Sequence, residues 1–280
     1  MKSSVTVIIP CYNDGQYIVE ALESIYNQTV PPEKIIVVDD GSAMETREIL
    51  RELQNPLLQI VHQDNQGVSV ARNKAIQLAE TEYILNLDAD DYYEPSFIEK
   101  ALAVLKENQE IGAVSSYNRC FNTEGDTTEI IKPCGGNVRD FIVINNGRSA
   151  ALFRKECWKT VGGFDEKMRA GYEDWEFWIA ITKNNWSVHI LPEVLTNYRI
   201  KKKSRDTSAI QQHDFELRNY IYSKHKEVYK EHIDFYVSEL LRQNSLLRTT
   251  IFNVKRSKEY ILGQLVLSPI RLIKKTLLSK

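Results

Sequence analysis

Tyr83-Ile84-Leu85-Asn86-Leu87-Asp88-Ala89-Asp90-Asp91 decides the fold: an apolar run that reads as a buried strand passes without a break into a cluster of carboxylates. Upstream the same pattern repeats. Val5-Thr6-Val7-Ile8-Ile9 is a strand run stopped by Pro10, Ile35-Ile36-Val37-Val38 is a second, and Leu57 to Val61 a third. Helical spacing separates them, with Ile18, Leu22 and Ile25 on one face between Gln16 and Asn27, another helix after Ser42, and a third from Val68 to Ala79. Strands apolar throughout and alternating with helices imply an α/β fold, a mostly parallel sheet with helices on both faces. In such sheets ligands bind beyond the carboxyl ends of the strands. Here those ends read Pro10-Cys11-Tyr12-Asn13-Asp14, Asp39-Asp40-Gly41-Ser42 and Asp88-Ala89-Asp90-Asp91, three polar clusters on one edge.

Downstream of residue 110 the alternation weakens. Asn118 to Asn146, rich in Gly, Asn, Thr and charge, reads as an excursion over the surface; Ser149 to Arg154 reads as a strand, a helix rich in aromatics follows Gly171, and Ser187 to Leu191 reads as a short strand. Beyond Arg199 the chain turns basic and helical. The division expected is a domain over 1–205 and a helical, basic extension over 206–280.

Composition narrows the function classes. With 280 residues, 42% of them hydrophobic, and 36 Lys plus Arg against 38 Asp plus Glu, the chain can bury a large core. It is neither a disordered tail nor a general nucleic-acid binder. The formal charge of -2 divides unevenly: the last thirty residues hold seven basic side chains and one acid, a net of +6, leaving -8 on the rest. Cys11, Cys120, Cys134 and Cys157 form no CxxC pair and read as reduced thiols. No apolar leader precedes the first strand, so a cytoplasmic location is expected, with peripheral attachment to the cytoplasmic membrane face as a further option.

Asp88 and Asp90, two residues apart at a strand end, suit a hard divalent cation, Mg²⁺ or Mn²⁺, bridging to a diphosphate. A solvated turn capping the next helix is the plainer alternative. Asp39-Asp40-Gly41-Ser42 offers a turn with a helix N-cap, or a carboxylate accepting from a base N–H or a ribose hydroxyl. Tyr12 can present a ring face to a nucleobase or simply pack. Adjacent acids Glu173 and Asp174 suit a helix N-terminus; with Trp175, Phe177, Trp178 and Ile179 around it, a carboxylate there can instead serve as a general base with a raised pKa.

Taken in order, Pro10-x-Tyr12-Asn13, Val38-Asp39-Asp40-Gly41-Ser42, Gly67-x-x-x-Ala71-Arg72-Asn73, Leu87-Asp88-Ala89-Asp90-Asp91, Gly162-Gly163-Phe164-Asp165 and Glu173-Asp174-Trp175 resemble the family 2 inverting glycosyltransferases of the GT-A fold, over about residues 4 to 200. By that resemblance, Pro10, Tyr12 and Asn13 line a nucleotide site and Asp40 binds the base, usually uracil. Asp88, with Ala89 beside it, contacts the ribose or donor sugar, and Asp90 holds the metal. Arg72 and Asn73 support the donor pocket, Asp174 is the catalytic base, and Glu173 and Trp175 lie on the acceptor side. The reaction implied moves one sugar from a nucleotide-diphosphate donor, a UDP-sugar above all, to a hydroxyl of a glycan or lipid-linked acceptor in surface polysaccharide or glycoconjugate synthesis. An inverting displacement needs no nucleophilic side chain, in keeping with the lack of a Ser/His or Cys/His arrangement.

The sequence also departs from the family. Many relatives carry a His shortly after a Tyr-Arg pair, whereas Tyr198-Arg199 is followed by Ile200-Lys201-Lys202-Lys203-Ser204-Arg205, a basic run that reads as a lid over the diphosphate or as a solvated face. The Gln-x-x-Arg-Trp motif of processive synthases is absent, which favours single additions. In the tail, Leu262, Val266, Ile270, Ile273 and Leu277 recur at helical spacing among basic residues, with Pro269 expected to kink or split the helix. The apolar run is too short to span a bilayer. Residues 251–280 can lie on an anionic membrane surface, pack on the domain or mediate an oligomer. Two other readings are a catalytically silent nucleotide-sugar-binding scaffold subunit and a phosphohydrolase with Asp88 as nucleophile. A dinucleotide oxidoreductase lacks its Gly-x-Gly-x-x-Gly turn.

Overall fold

A computed structural model describes residues 3–201 and 205–278, with side chains at 206, 207 and 269–278 left out of the description. In chain order the elements are β1 (Val5–Cys11), α1 (Gly15–Tyr26), β2 (Lys34–Asp40), α2 (Met44–Glu52), β3 (Leu58–Gln63), α3 (Val68–Leu78), β4 (Tyr83–Asn86), β5 (Tyr92–Tyr93), α4 (Phe97–Glu107), β6 (Ile111–Phe121), β7 (Thr127–Ile131), α5 (Val138–Phe141), β8 (Ala151–Arg154), α6 (Lys155–Val161), α7 (Glu173–Thr182), β9 (Ser187–Arg199), α8 (Arg205–Ser208), a π-helical turn (Ala209–His213), α9 (Asp214–Lys224), α10 (Lys226–Glu231), α11 (Ile233–Arg256) and α12 (Lys258–Leu278). One sheet runs β3-β2-β1-β4-β8-β6-β9-β5, with β7 paired to β6. The first four strands are parallel, as the alternation of strands and helices predicts; β8 then inserts antiparallel between β4 and β6.

Side-chain alternation along the central strands builds a core on each face. Val5, Val7, Ile9, Ile35, Val37 and Leu85 pack with Ile18, Leu22 and Ile25 of α1 and with Phe97, Ala101 and Leu105 of α4. Ile8, Ile36, Val38 and Ile84 face the other way, onto Ala71, Ala75 and Ile76 of α3 and Phe177, Trp178 and Ile181 of α7. Helix α7 is buried on nearly every side. That matches a segment apolar all round rather than striped.

Three readings of the sequence change. Strand β1 continues through Pro10 to Cys11, because β4 pairs only with Val5 to Ile8; position 10 faces β2 alone, where a missing N–H is tolerated. Strand β9 runs on from Leu191 to Arg199: Leu191 pairs with Ser116 and Val194 with Tyr117, so Pro192 and Glu193 bulge out and the ladder resumes beyond them. The supposed excursion from Asn118 contains the end of β6, its hairpin partner β7 and α5, whose start is closed by a capping box between Asn137 and Asp140.

The first compact unit is Met1–Glu231 and the second His232–Lys280. Residues 214–231 thus pack with the sheet-bearing unit, beyond the boundary expected at 205. Tyr172 donates its hydroxyl to Asp214, Tyr220 to Asp165, and buried Glu176 meets both Lys224 and His225, at 2.8 and 2.7 Å. In the second unit α11 has no buried residue, and α12 continues across Pro269 without splitting. Among the described residues no helix is long and apolar enough to cross a membrane.

Arg154 makes a stability test. Only 5% exposed, it donates to the carbonyls of Leu105, Asn108 and Ile111, joining the end of α4 to β6 and β8. Arg154→Met removes three hydrogen bonds, two of them buried, while the Asn108 carbonyl keeps Ile111 N–H, and should cost about 2–4 kcal/mol in urea unfolding; a loss below about 0.5 kcal/mol, the scale of surface substitutions, would show that the Leu105 and Ile111 carbonyls are otherwise satisfied.

Candidate active site

The carboxyl ends of β1, β2 and β4 surround a cavity of about 390 Å³. Pro10, Cys11, Tyr12 and Asp14 supply one wall, Asp40, Asn65, Gly67 and Val68 a second, and Asp88, Ala89 and Asp90 the floor; Arg169, Tyr198, Lys201 and Arg205 close the remaining side. Six residues singled out in the sequence therefore meet there: Pro10, Tyr12, Asp40, Asp88, Ala89 and Asp90. Tyr12 is half exposed, so its ring is open to a planar ligand. Cys11 is buried, which pushes its thiol up to about 12 and leaves it inert as a nucleophile.

Several of the others build the cavity without lining it. Asn13 adopts φ 60°, a conformation Asn tolerates; its amide N–H donates to Ser42 and its side-chain oxygen accepts from Ala43 N, joining the loops after β1 and β2. Asn73 is a buried residue of α3. It donates to Phe164 O and Glu166 and accepts from Trp158 and Phe164 N, so it fixes the Gly163-Phe164-Asp165 turn. Asp40, although it lines the cavity, spends both oxygens on Gln63 and on the N–H groups of Gln66 and Gly67. Asp39 is wholly buried, and although burial works the other way, hydrogen bonds from Ser42 and His62 hold its carboxyl below the usual range.

Beneath the floor lies Arg72, with no exposed surface. It donates to Asp88 at 2.6 Å and to Glu173 at 2.8 Å, and Arg205 donates to the same Glu173 oxygen at 2.6 Å. Burial alone would raise both carboxyls; the neighbouring guanidinium charges outweigh it and hold Asp88 and Glu173 below the usual carboxylate range. Ser149 occupies the second Asp88 oxygen. Glu173 is thus a buried link rather than an acceptor-side group. Trp175 is equally interior, donating its indole N–H to Phe141 O.

Asp174, between them, is half-buried. It accepts from Asn145 at 3.1 Å and from Trp175 N at 2.7 Å. The tryptophans expected around its carboxyl belong to the core under α7, and polar donors reach its oxygens instead. Its connection to the cavity is its neighbour Glu173, bonded to Arg205 on the cavity wall.

Asp90 faces Lys201 at 2.7 Å, and the same ammonium reaches Asp14 at 2.8 Å. Burial raises the Asp90 carboxyl, Lys201 opposes this, and Asp14 and Asp88 add to the rise, leaving it above the usual range. A divalent cation fits this donor set poorly. Both Asp88 oxygens are engaged, Asp90 is already bonded to an ammonium, and the described residues contain no group of three or more His, Cys, Asp or Glu able to hold a metal.

Arg169 and Asn65 escaped the sequence reading, since no local pattern marks them; Asp14 belongs to the polar cluster after the first strand but is given no role there. Lys201 and Arg205 belong to the basic run noted after Tyr198-Arg199; Lys202 to Ser204 lie outside the described residues.

Three parallel strand ends converging on a polar cavity form a ligand site at the carboxyl edge of the sheet, where open α/β folds bind their ligands. Residues 6–165 match the profile of Glycosyl transferase family 2, and the chain belongs to that family. An uncharacterized glycosyltransferase of Methanocaldococcus jannaschii is 29% identical over 219 residues, 75% of each chain. The chondroitin synthase of Escherichia coli is 36% identical over 124 residues, 44% of this chain but 18% of that protein, and the hyaluronan synthase of Pasteurella multocida 26% identical over 91% of this chain and 26% of its own length. The chain thus spans a fraction of those synthases. The S. aureus TarS structure in complex with UDP-GlcNAc superposes with a TM-score of 0.68 at 24% identity, covering 92% of this chain and 77% of that one, a likeness of fold.

Asp91 tests the electrostatics. Burial, with Asp90 and Asp88 nearby, raises its carboxyl well above the usual range, although Arg199 N donates to it. A folded pKa above the unfolded value means that ionised Asp91 costs stability at neutral pH, a cost that disappears as pH falls below about 4. Asp91→Asn should raise Tm by about 2–4 °C at pH 7 and leave it unchanged at pH 3.5. A stabilisation equal at both pH values would refute the electrostatic origin.

Proposed function

We propose that this protein is an inverting glycosyltransferase that moves a single sugar from a UDP-sugar to a hydroxyl of a glycan or lipid-linked acceptor, with Asp174 as general base. The observation carrying this is the cavity that gathers Pro10, Tyr12, Asp40, Asp88, Ala89 and Asp90 from three strand ends. Tyr12 offers a stacking face for the base, the Asp40-braced loop of Asn65 and Gly67 a rim for it, and Asp88 an ionised carboxylate for sugar or ribose hydroxyls. The ligand named with the TarS structure supports a UDP-sugar, and the names of the synthase relatives support a polysaccharide product.

The transfer is one displacement. The acceptor oxygen attacks the anomeric carbon opposite the leaving group, its proton passes to Asp174, and the electron pair of the breaking C–O bond leaves on the diphosphate. Asn145 and Trp175 N, donating to Asp174, hold its carboxyl group in place. Charge on the leaving diphosphate develops beside Arg169, Lys201 and Arg205. The Mg²⁺ or Mn²⁺ expected on Asp90 enters no step, because the donor set does not fit it. A phosphohydrolase is disfavoured: Arg72 and Ser149 occupy the Asp88 oxygens that would attack phosphorus.

A lipid-linked acceptor fits the second unit taken by itself. Leu262, Leu265 and Val266 are exposed on α12, close in sequence to Lys255, Arg256 and Lys258. Such a surface suits an anionic bilayer.

Asp174→Asn should lower the rate of sugar transfer by about 10²–10⁴-fold while UDP affinity stays within about threefold, since Asp174 is not on the cavity wall. Wild-type turnover in this variant would remove Asp174 as base, and UDP binding by the wild type with no turnover on a broad acceptor panel would favour the scaffold reading. The full chain should co-sediment with vesicles containing anionic lipid and not with neutral ones, and Leu262→Glu/Val266→Glu should abolish this; equal sedimentation of both proteins would exclude α12 as the contact.

A further inference from the structure

Lys201 is a placed residue rather than a surface lysine resting on an acid. Two positions earlier, Arg199 is fixed from every side: its N–H donates to Asp91, its Nε to the Asp90 carbonyl at 3.0 Å, and a terminal nitrogen to Glu20. Its guanidinium lies 4.5 Å from the ring centres of both Tyr17 and Phe121. The chain leaving β9 therefore delivers Lys201 to one spot, between Asp14 from the loop after β1 and Asp90 from the loop after β4.

An ammonium has three N–H donors. Two are directed at Asp14 and Asp90, the Tyr17 ring centre lies 5.7 Å from the nitrogen, and Lys201 lines the cavity, where its remaining donor can meet a ligand oxygen. Arg205 and Arg169 line the same cavity, each able to donate to several oxygens in a plane. Asp88, which lines the same cavity, already has Arg72. A divalent ion and this ammonium could not share Asp90 without strong repulsion. Charge for a diphosphate is thus already supplied by the chain.

Building on the nucleotide-sugar reading, we propose that Lys201 is the resident cation of the donor-diphosphate site: held by Asp14 and Asp90 and flanked by Arg205, its ammonium binds the diphosphate where relatives place a metal, so that a nucleoside diphosphate binds without a divalent cation. Lys201 then touches the leaving group directly and stabilises the charge it gains.

The test is calorimetric titration of UDP into the full chain, in EDTA and in Mn²⁺, for the wild type, Lys201→Met and Lys201→Arg, with thermal unfolding to confirm that each variant is folded. The wild type should bind UDP with affinities within about threefold of each other in the two buffers, Lys201→Met should lose about tenfold or more in both, and Lys201→Arg should recover part of the loss. Wild-type binding that weakens about tenfold or more in EDTA, or a Lys201→Met affinity equal to or tighter than wild type, overturns the proposal while leaving the donor reading in place. Failure of UDP and of every other nucleoside diphosphate to bind in either buffer overturns both.

Discussion

The site depends on one buried guanidinium. Arg72 is removed from water, where a lone charge is very costly, and is tolerable only because Asp88 and Glu173 meet it at 2.6 and 2.8 Å. Those partners come from different parts of the fold, Asp88 from the loop after β4 and Glu173 from the start of α7. The ion group therefore holds Asp88 and the helix bearing Asp174 in one arrangement. Arg205, on the same Glu173 oxygen, brings in the segment that follows β9.

The same neighbourhood separates its acids into two kinds. Asp88 and Glu173, next to guanidinium groups, are held ionised, whereas Asp90 and Asp91 are raised by burial and by one another. The end of β9 and the residues beyond it answer that second pair: Arg199 N donates to Asp91, and Lys201 bonds Asp90. The segment that follows Tyr198 thus sets groups of the chain, a backbone N–H and an ammonium, against both acids.

Much of the first half was legible because its signals are local. Apolar runs at 5–9, 35–38 and 83–86 fall on β1, β2 and β4, and of the residues behind them Pro10, Tyr12, Asp14, Asp40, Asp88 and Asp90 line the cavity. What escaped depends on partners distant in sequence. Strand β9 survives Pro192 and Glu193 only because β6 accepts a bulge there, and Asn145, in a stretch that looked like surface loop, reaches Asp174 because α5 anchors Phe141 under Trp175. Arg169 and Asn65 stand at the cavity through folding alone, with nothing in their neighbours to announce them.

By itself, then, the sequence determined the order of strands and helices, the family, and the identity of the acids at three strand ends, because periodicity and strand termination are properties of contiguous residues. Only the tertiary structure decided which of those acids remain open to a ligand. Asp40 is committed to a loop, Asp88 to Arg72 and Ser149, and Asp90 to Lys201, and each commitment is made across 16 to 111 residues of chain. Pairing across such separations is set by how the sheet stacks its loops and by the need of every buried charge for a counter-charge. Neither requirement leaves a local mark.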